Sequence, residues 1–428
     1  MLVSRARERT TVIPQGAAVE PVSPPSLLAF HDVETAFDHP DRIGRLAGLL
    51  GVRDDDTLLL DAGDATAMGA LAVVADGRAE AVAFHRAVAP DVHVPGNHDF
   101  DEGLGSLADF VAATPGEWLA ANAPALDLPA HTVLAAGDER VGVVGVCHPE
   151  TPDICRAVRD VAFGDPVAAA RRELSALRDR GVDHTVVLSH CGALDADIAA
   201  ATDADAVVGG HDHERTVDRV EGTLVARSAG VGREVVTVDL GETPAATVDS
   251  TAGAPADDRV AEAYRERHAD TGLDAPVASP GTGVDESAVV RFVADAYRAR
   301  ADADAGLAVS AAVREPLPAE VRERHLVGTV PFDSHLVAVA VRGERLKAAL
   351  RACRGPLDDT HGPVRWAGAD PDALTVGGTP VRDEETYRVG CTTYETVTEL
   401  LPGVADDRVV DDRGSSTTTS SRTHAPAG

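Results

Sequence analysis

The chain of 428 residues holds one lysine, Lys347, so arginine supplies nearly all of a positive complement of 39 set against 70 acidic side chains. The resulting formal charge of −31 repels other polyanions. A nucleic-acid polymer or an anionic membrane surface is thereby excluded as a natural partner. Cysteine is scarce: Cys147, Cys155, Cys191, Cys353 and Cys391 form no C-x-x-C pair and no even-spaced framework, which excludes a disulfide scaffold and suits a reducing compartment. Aromatic residues make up only 3%. No apolar run is long enough to cross a bilayer. Arg5, Arg7 and Arg9 are followed by no apolar signal-peptide core between Thr10 and Pro25, so the cytoplasm is the expected compartment.

What is present is an alternation of apolar, β-branched runs with helical patterns, the signature of an α/β fold. Residues 1–25, rich in proline and polar groups, read as a flexible arm. Helical spacing of apolar residues appears over Asp41–Leu50. A second helix is expected from Pro166 to Arg180 behind an Asp165 cap, and a third over 257–268. Val141–Val146 and Val235–Leu240 read as strands. A Gly/Pro/Ala-rich passage then marks a boundary, giving a first domain over 26–270, a linker over 271–284 and a second domain over 285–402. In that second part, Glu286–Arg300 reads as helix, Leu336–Arg342 as strand and Gly343–Leu350 as helix. Residues 403–428, which include the run Gly414 to Ser421, are expected to be a disordered tail.

Five strand-like segments of the first domain end by presenting Asp, Asn or His. They are Phe30-His31-Asp32-Val33-Glu34, Leu60-Asp61-Ala62-Gly63-Asp64, Val94 through Gly96-Asn97-His98-Asp99-Phe100-Asp101, Leu188-Ser189-His190, and Gly209-Gly210-His211-Asp212-His213. Taken singly, each block is compatible with a turn, an acidic loop or surface histidines. Five of them in succession, each after a strand, are hard to explain without a metal site gathered in one crevice at the strand ends.

The order Asp, Asp, Asn-His, His, His-x-His resembles the calcineurin-like metallophosphoesterases, and Asp99-Phe100-Asp101-Glu102-Gly103 narrows the resemblance to the branch of 5′-nucleotidases, UDP-sugar hydrolases and 2′,3′-cyclic phosphodiesterases. The resemblance implies a four-layer sandwich domain followed by a smaller α/β domain, with a pair of divalent ions acting on a phosphoester. One ion would take Asp32, Glu34, Asp64 and His213. The other would take Asp64, Asn97, His190 and His211. His98, oriented by Asp101, would bond the phosphate or leaving oxygen together with Asn97. The family's first block is Asp-x-His, whereas this chain has Asp32-Val33-Glu34. Strand geometry would point Glu34 to the same face as Asp32, and a carboxylate there makes a harder, more anionic site. Mn²⁺ or Mg²⁺ is then favoured over Zn²⁺, with Fe and Co also compatible. His31, His39, His85, His93, His131, His148 and His184 match no ligand of the family and are assigned structural or surface roles. The acidic, lysine-poor composition is similar to that of proteins from salt-loving organisms.

In the second part, Pro331-Phe332-Asp333-Ser334 matches the family's Pro-Phe-Gly-Asn, Val341 to Lys347 its Thr-Gly-x-x-Leu-Lys, and Thr386 to Tyr394 the segment carrying a second aromatic. Arg314 stands where the family has Gly-Gly-x-Arg, with Ala311-Ala312 in place of the glycines. The resemblance assigns Phe332 and Tyr394 to stacking on a base, and Arg314 and Ser334 to its polar groups. The expected activity is release of phosphate from nucleoside 5′-monophosphates. Action on a 2′,3′-cyclic nucleotide or a UDP-sugar is the alternative within enzymes, and a nucleotide-binding sensor without turnover is the alternative of another class.

Overall fold

A computed structural model of the chain describes residues 24–416, apart from 55, 67–68, 75–77, 315, 333, 356–361 and 399. Most of the expected N-terminal arm lies outside the described residues.

The first domain is built on two six-stranded sheets packed face to face. In one sheet, strands Ser26–Phe30, Thr57–Asp61, Val92–His93 and Glu117–Trp118 run parallel. Glu234–Asp239 and Ala245–Ser250 complete it antiparallel on the other side of Ser26–Phe30. The second sheet runs in the order His131–Ala136, Glu139–Cys147, His184–His190, Ala206–Gly209, Thr223–Arg227, Thr216–Val220. Alternate residues of each strand face opposite ways. Leu27, Ala29, Leu58 and Leu60 therefore pack between the sheets on Val141, Val143, Val186 and Leu188. Leu28, Phe30 and Leu59 pack outward on Ile43, Leu46, Phe84 and Phe110 of the helices Pro40–Leu50, Ala79–Val88 and Gly103–Ala113. Val144, Val146 and Val187 do the same under Pro166–Asp179 and Asp195–Ala201. Burial on both faces is why these strands read as continuous apolar runs. The result is the expected four-layer sandwich.

The second domain has one five-stranded sheet, ordered Val364–Ala367, Ala305–Val309, Thr386–Thr392, His335–Arg342, Val409–Ser416. Helix Glu286–Arg300 covers one face through Val293 and Tyr297, and Gly343–Ala352 covers the other through Leu346 and Leu350. The expected helices and strands appear within a residue or two of their sequence bounds.

Two expectations about connecting segments are corrected. Residues 271–284 are more than a linker: Leu273 is buried in the core of the first domain, Pro276–Ala278 pairs with Val321–Arg322, and Val284 bridges to Leu317. Part of the expected disordered tail is ordered. Leu401 and Val404 are buried in the second core, and Val409–Ser416 forms an edge strand on His335–Arg342. Polar composition argues against burying a segment on both faces. An edge strand needs only one apolar contact, here Val409, plus backbone pairing. Residues 417–428 lie outside the described residues.

Candidate metal centre

The strand ends of both sheets meet at one edge of the sandwich, and the five sequence blocks converge there. Asp32 follows the strand Ser26–Phe30, and its backbone N–H donates to Gly63 O at 2.8 Å, tying the first block to the second. The basis for placing Glu34 beside Asp32 differs from that expected. The strand has already ended, and Asp32, Glu34 and Asp64 all take the left-handed backbone conformation (φ 46°, 43° and 54°). Such φ values are uncommon outside glycine and mark sites where surrounding structure holds the backbone against a local cost. The outcome is the same: both carboxylates face His213.

Three overlapping groups of potential ligand atoms form here, and one of them, Glu34, Asp64 and His98, links the other two. Asp32, Glu34 and His213 make one, with His213 Nε2 3.2 Å from Asp32 Oδ1 and 3.4 Å from Glu34 Oε1. Asp64, His190 and His211 make the other, with His190 Nε2 3.1 Å from Asp64 Oδ2. Asn97 joins the second group through Oδ1, 2.7 Å from His211 Nδ1. The His211 backbone N–H donates to Asp32 Oδ2 at 2.9 Å, stitching the two groups together. His98 lies at the mouth, its Nδ1 2.9 Å from Asp101 Oδ2, while its backbone N–H donates to Asp64 Oδ1 at 2.7 Å.

The donor set fits a pair of cations. His190 Nε2 is buried and points at Asp64 Oδ2 from 3.1 Å, while its Nδ1 lies 2.6 Å from the Ala62 carbonyl oxygen. That bond places the proton on Nδ1 and turns a lone pair into the site, the usual second contact of a metal-ligating histidine. The electrostatics agree. Burial opposes charge on Asp32, yet His31, His190 and His213 hold its carboxyl well below the usual range. Burial likewise opposes charge on Glu34, but Arg314 and His213 lower it to about 2. Against the cost of burial, the carboxylates raise His190 and His213 to about 10, and Asp101 and Asp64 raise His98 to about 9. His211 goes the other way, to about 4, through burial and the neighbouring His190. So concentrated a negative field demands compensating positive charge, which protons or metal ions can supply.

Sequence reasoning missed several contributors. His31, assigned a structural or surface role, hydrogen-bonds Asp32 Oδ2 through Nδ1, and its Nε2 lies 2.9 Å from Ser228 Oγ. His148 stacks on His211 with ring centroids 4.6 Å apart. Asp99 accepts from the N–H groups of Gly96 (2.8 Å), Asp64 (3.0 Å) and Thr66 (3.2 Å), so one carboxylate holds two ligand-bearing loops together. Its place inside the Asn-His-Asp block was the only sequence signal.

From the second domain, Arg314 reaches into the centre. Its Nη2 donates to Glu34 Oε2 at 2.5 Å, and its guanidinium carbon lies 5.8 Å from the Phe332 ring centre. Phe332 is partly buried against the second-domain core, and the Ser334 N–H donates to its carbonyl at 2.9 Å. Tyr394 is 42% exposed on the short helix Thr393–Val397. Of the residues assigned to base recognition, Arg314 is thus the one placed at the metal centre.

The profile of the calcineurin-like phosphoesterases matches residues 30–215, and that of the 5′-nucleotidase C-terminal domain matches residues 268–398. Similar curated proteins include a 5′-nucleotidase of Diplobatis ommata, 34% identical over 174 residues, and a 5′-nucleotidase of Homo sapiens, 33% identical over 174 residues. Those alignments span 38% and 37% of this chain but only 30% and 29% of the relatives' lengths. Among solved structures, a 5′-nucleotidase precursor of Thermus thermophilus shares the fold with a TM-score of 0.77 at 21% identity, over 94% of this chain and 96% of that one. The sulfate thiohydrolase SoxB shares it with a TM-score of 0.75 at 17% identity, over 96% of each chain. Residues 30–215 of this chain belong to the calcineurin-like phosphoesterase family, and residues 268–398 are a 5′-nucleotidase C-terminal domain.

Proposed function

We propose that this chain is a dinuclear metal-dependent phosphoester hydrolase that releases phosphate from nucleoside 5′-monophosphates. The observation that supports it best is the meeting of Asp32, Glu34 and His213 with Asp64, Asn97, His190 and His211 as two adjoining ligand groups, with His98 at their mouth. Mn²⁺ or Mg²⁺ is the preferred occupant, because one of the two groups carries two carboxylates to a single imidazole. When bound, such ions neutralise phosphoryl charge and make a nucleophile available at neutral pH.

The chain's own residues do the rest. Asp64, whose carboxylate is grouped with His190 and His211 and also with Glu34 and His98, would serve both ions. Asn97 contributes a neutral oxygen, which limits the negative charge facing an anionic substrate. His98, raised to about 9, holds a proton at neutral pH and can donate it to a phosphoryl or leaving oxygen, with Asp101 fixing the ring through Nδ1. Arg314 adds a fixed positive charge at the same mouth, and Phe332 flanks it as a surface for a base. The substrate is a small molecule.

The test is phosphate release from a panel of nucleoside 5′-monophosphates, 2′,3′-cyclic nucleotides and UDP-glucose. The protein would be stripped of metal and then given Mn²⁺, Mg²⁺ or Zn²⁺. Fastest release from monophosphates with Mn²⁺ or Mg²⁺ is expected. Tight nucleotide binding with no release under any metal would establish a sensor instead.

A further inference from the structure

Beneath the metal centre lies a second cluster of titratable groups that the proposed reaction does not use. Asp61, His85 and His93 are all completely buried. Both imidazoles converge on one carboxylate oxygen: His85 Nε2 is 2.8 Å and His93 Nδ1 is 3.0 Å from Asp61 Oδ2. Each ring is also held on its far side, with His85 Nδ1 2.8 Å from Ala81 O and His93 Nε2 2.8 Å from Pro115 O. The surroundings are apolar. His93 stacks in parallel on Trp118 at 4.5 Å, and Phe30, Phe84 and Phe110 pack around His85. The two imidazoles and the carboxylate are the ionisable groups facing one another here.

The other oxygen of Asp61 is turned to the loop that follows its strand. Oδ1 accepts from Gly63 N–H at 3.1 Å, closing the turn Asp61-Ala62-Gly63-Asp64. That turn delivers two parts of the second ligand group: Asp64 at its end, and the Ala62 carbonyl that sets the tautomer of His190. A carboxylate free to rotate about its χ angles could not hold the turn in one shape. When each ring carries a proton on the nitrogen facing Asp61, two donors on Oδ2 leave Oδ1 a single orientation, toward Gly63.

We propose that His85 and His93 are positioning residues for the reaction, clamping Asp61 so that the 61–64 turn holds Asp64 and His190 in the geometry that takes metal. The proposal rests on the phosphoesterase reading above. A cation in place of the protons between these atoms is disfavoured. Three protein ligands, two of them crowded on one oxygen, with no exposed surface, fall short of the four that a closed structural metal site needs.

The test uses the full chain, stripped of metal and titrated with Mn²⁺. His85→Leu and His93→Leu remove the donors. His85→Gln and His93→Asn place an amide N–H near the lost Nε2 and Nδ1. Wild type should bind two equivalents of Mn²⁺. Each Leu variant, kept folded as judged by circular dichroism, should bind Mn²⁺ about 10–100-fold more weakly, as expected when a partner orienting a ligand is removed. The amide variants should recover most of that affinity, which packing alone would not restore. Wild-type Mn²⁺ affinity in folded Leu variants would overturn the clamp while leaving the phosphoesterase reading intact, and so would amide variants no better than Leu. A third equivalent of Mn²⁺ in wild type, lost in the Leu variants, would overturn it in favour of a buried metal site. Failure of wild type to bind Mn²⁺ at all would overturn the phosphoesterase reading itself, and this role with it.

Discussion

At the residue scale, His98 and Glu34 separate the roles of chemistry and coordination. In the proposed reaction His98, which Asp101 and Asp64 raise to about 9, supplies a proton and holds no metal. His98→Ala should therefore lower kcat by roughly 10²–10⁴-fold, the usual worth of a positioned acid, with two metals still bound. Metal analysis of the purified variant checks this, and lost metal would show His98 to be a ligand. Glu34 divides its oxygens between His213 and Arg314. Glu34→His exchanges a hard anionic donor for a softer neutral one and strips Arg314 of its counter-charge. We expect competition binding to show selectivity moving toward Zn²⁺ over Mn²⁺ by an order of magnitude or more. Unchanged selectivity would remove Glu34 from the ligand set.

At the scale of elements, the site depends on loops meeting at close quarters. Gly96, in the block carrying Asn97 and His98, passes so near the 61–64 turn that an added Cβ would lie 2.1 Å from Asp64 Oδ1 and 2.5 Å from its backbone nitrogen. Neither atom can yield without moving a candidate ligand. Gly96→Ala should cost about 1–3 kcal/mol of stability, typical of overpacking, and should reduce metal affinity far more than a surface Gly→Ala would. Calorimetric metal titration beside thermal melting tests it; an active variant with two tightly bound metals would show that the loops can separate. The second domain meets the first at this scale too. Through the Arg314–Glu34 bond, a side chain of one domain completes the electrostatics of the other's centre.

On the scale of the whole molecule, ionisable groups in the core make stability depend on pH. Glu80, in the first turn of Ala79–Val88, has a buried oxygen with no hydrogen-bond partner among the described residues, and burial raises its pKa from 4.5 to about 7, aided by Asp38 and Glu102. A carboxyl whose folded pKa is raised contributes its full share below the unfolded value, and that share is lost as pH rises through about 7. Glu80→Gln should thus melt like wild type near pH 4 and at higher temperature above pH 7. The gain should be on the order of 1–3 kcal/mol, from the size of the shift. Equal melting temperatures at pH 8 would mean that water reaches the carboxylate in solution.

The two-domain plan, most element bounds and the residues around the two ligand groups were legible in the chain itself. Burial on both faces of parallel sheets leaves long apolar runs, and the candidate ligands come soon after those runs, as Asp64 does after Leu58–Leu60 and His190 after Val186–Leu188. Local rules sufficed there because strand ends and helix caps depend on near neighbours. Contacts between distant segments were not legible. That His31 would meet Ser228, that His148 would stack on His211, and that His85 and His93 would enclose Asp61 depend on which segments the sheets bring together, and no spacing encodes it. The polar segment 409–416 pairs as an edge strand because His335–Arg342 offers it a free edge. Glu34 faces Asp32 through left-handed backbone conformations rather than strand alternation, and Arg314 meets it across a domain boundary. In each case the residue type was visible in the sequence, and the partner was decided by tertiary packing, because side-chain chemistry is local while the apposition of strand ends and domains is a property of the assembled fold.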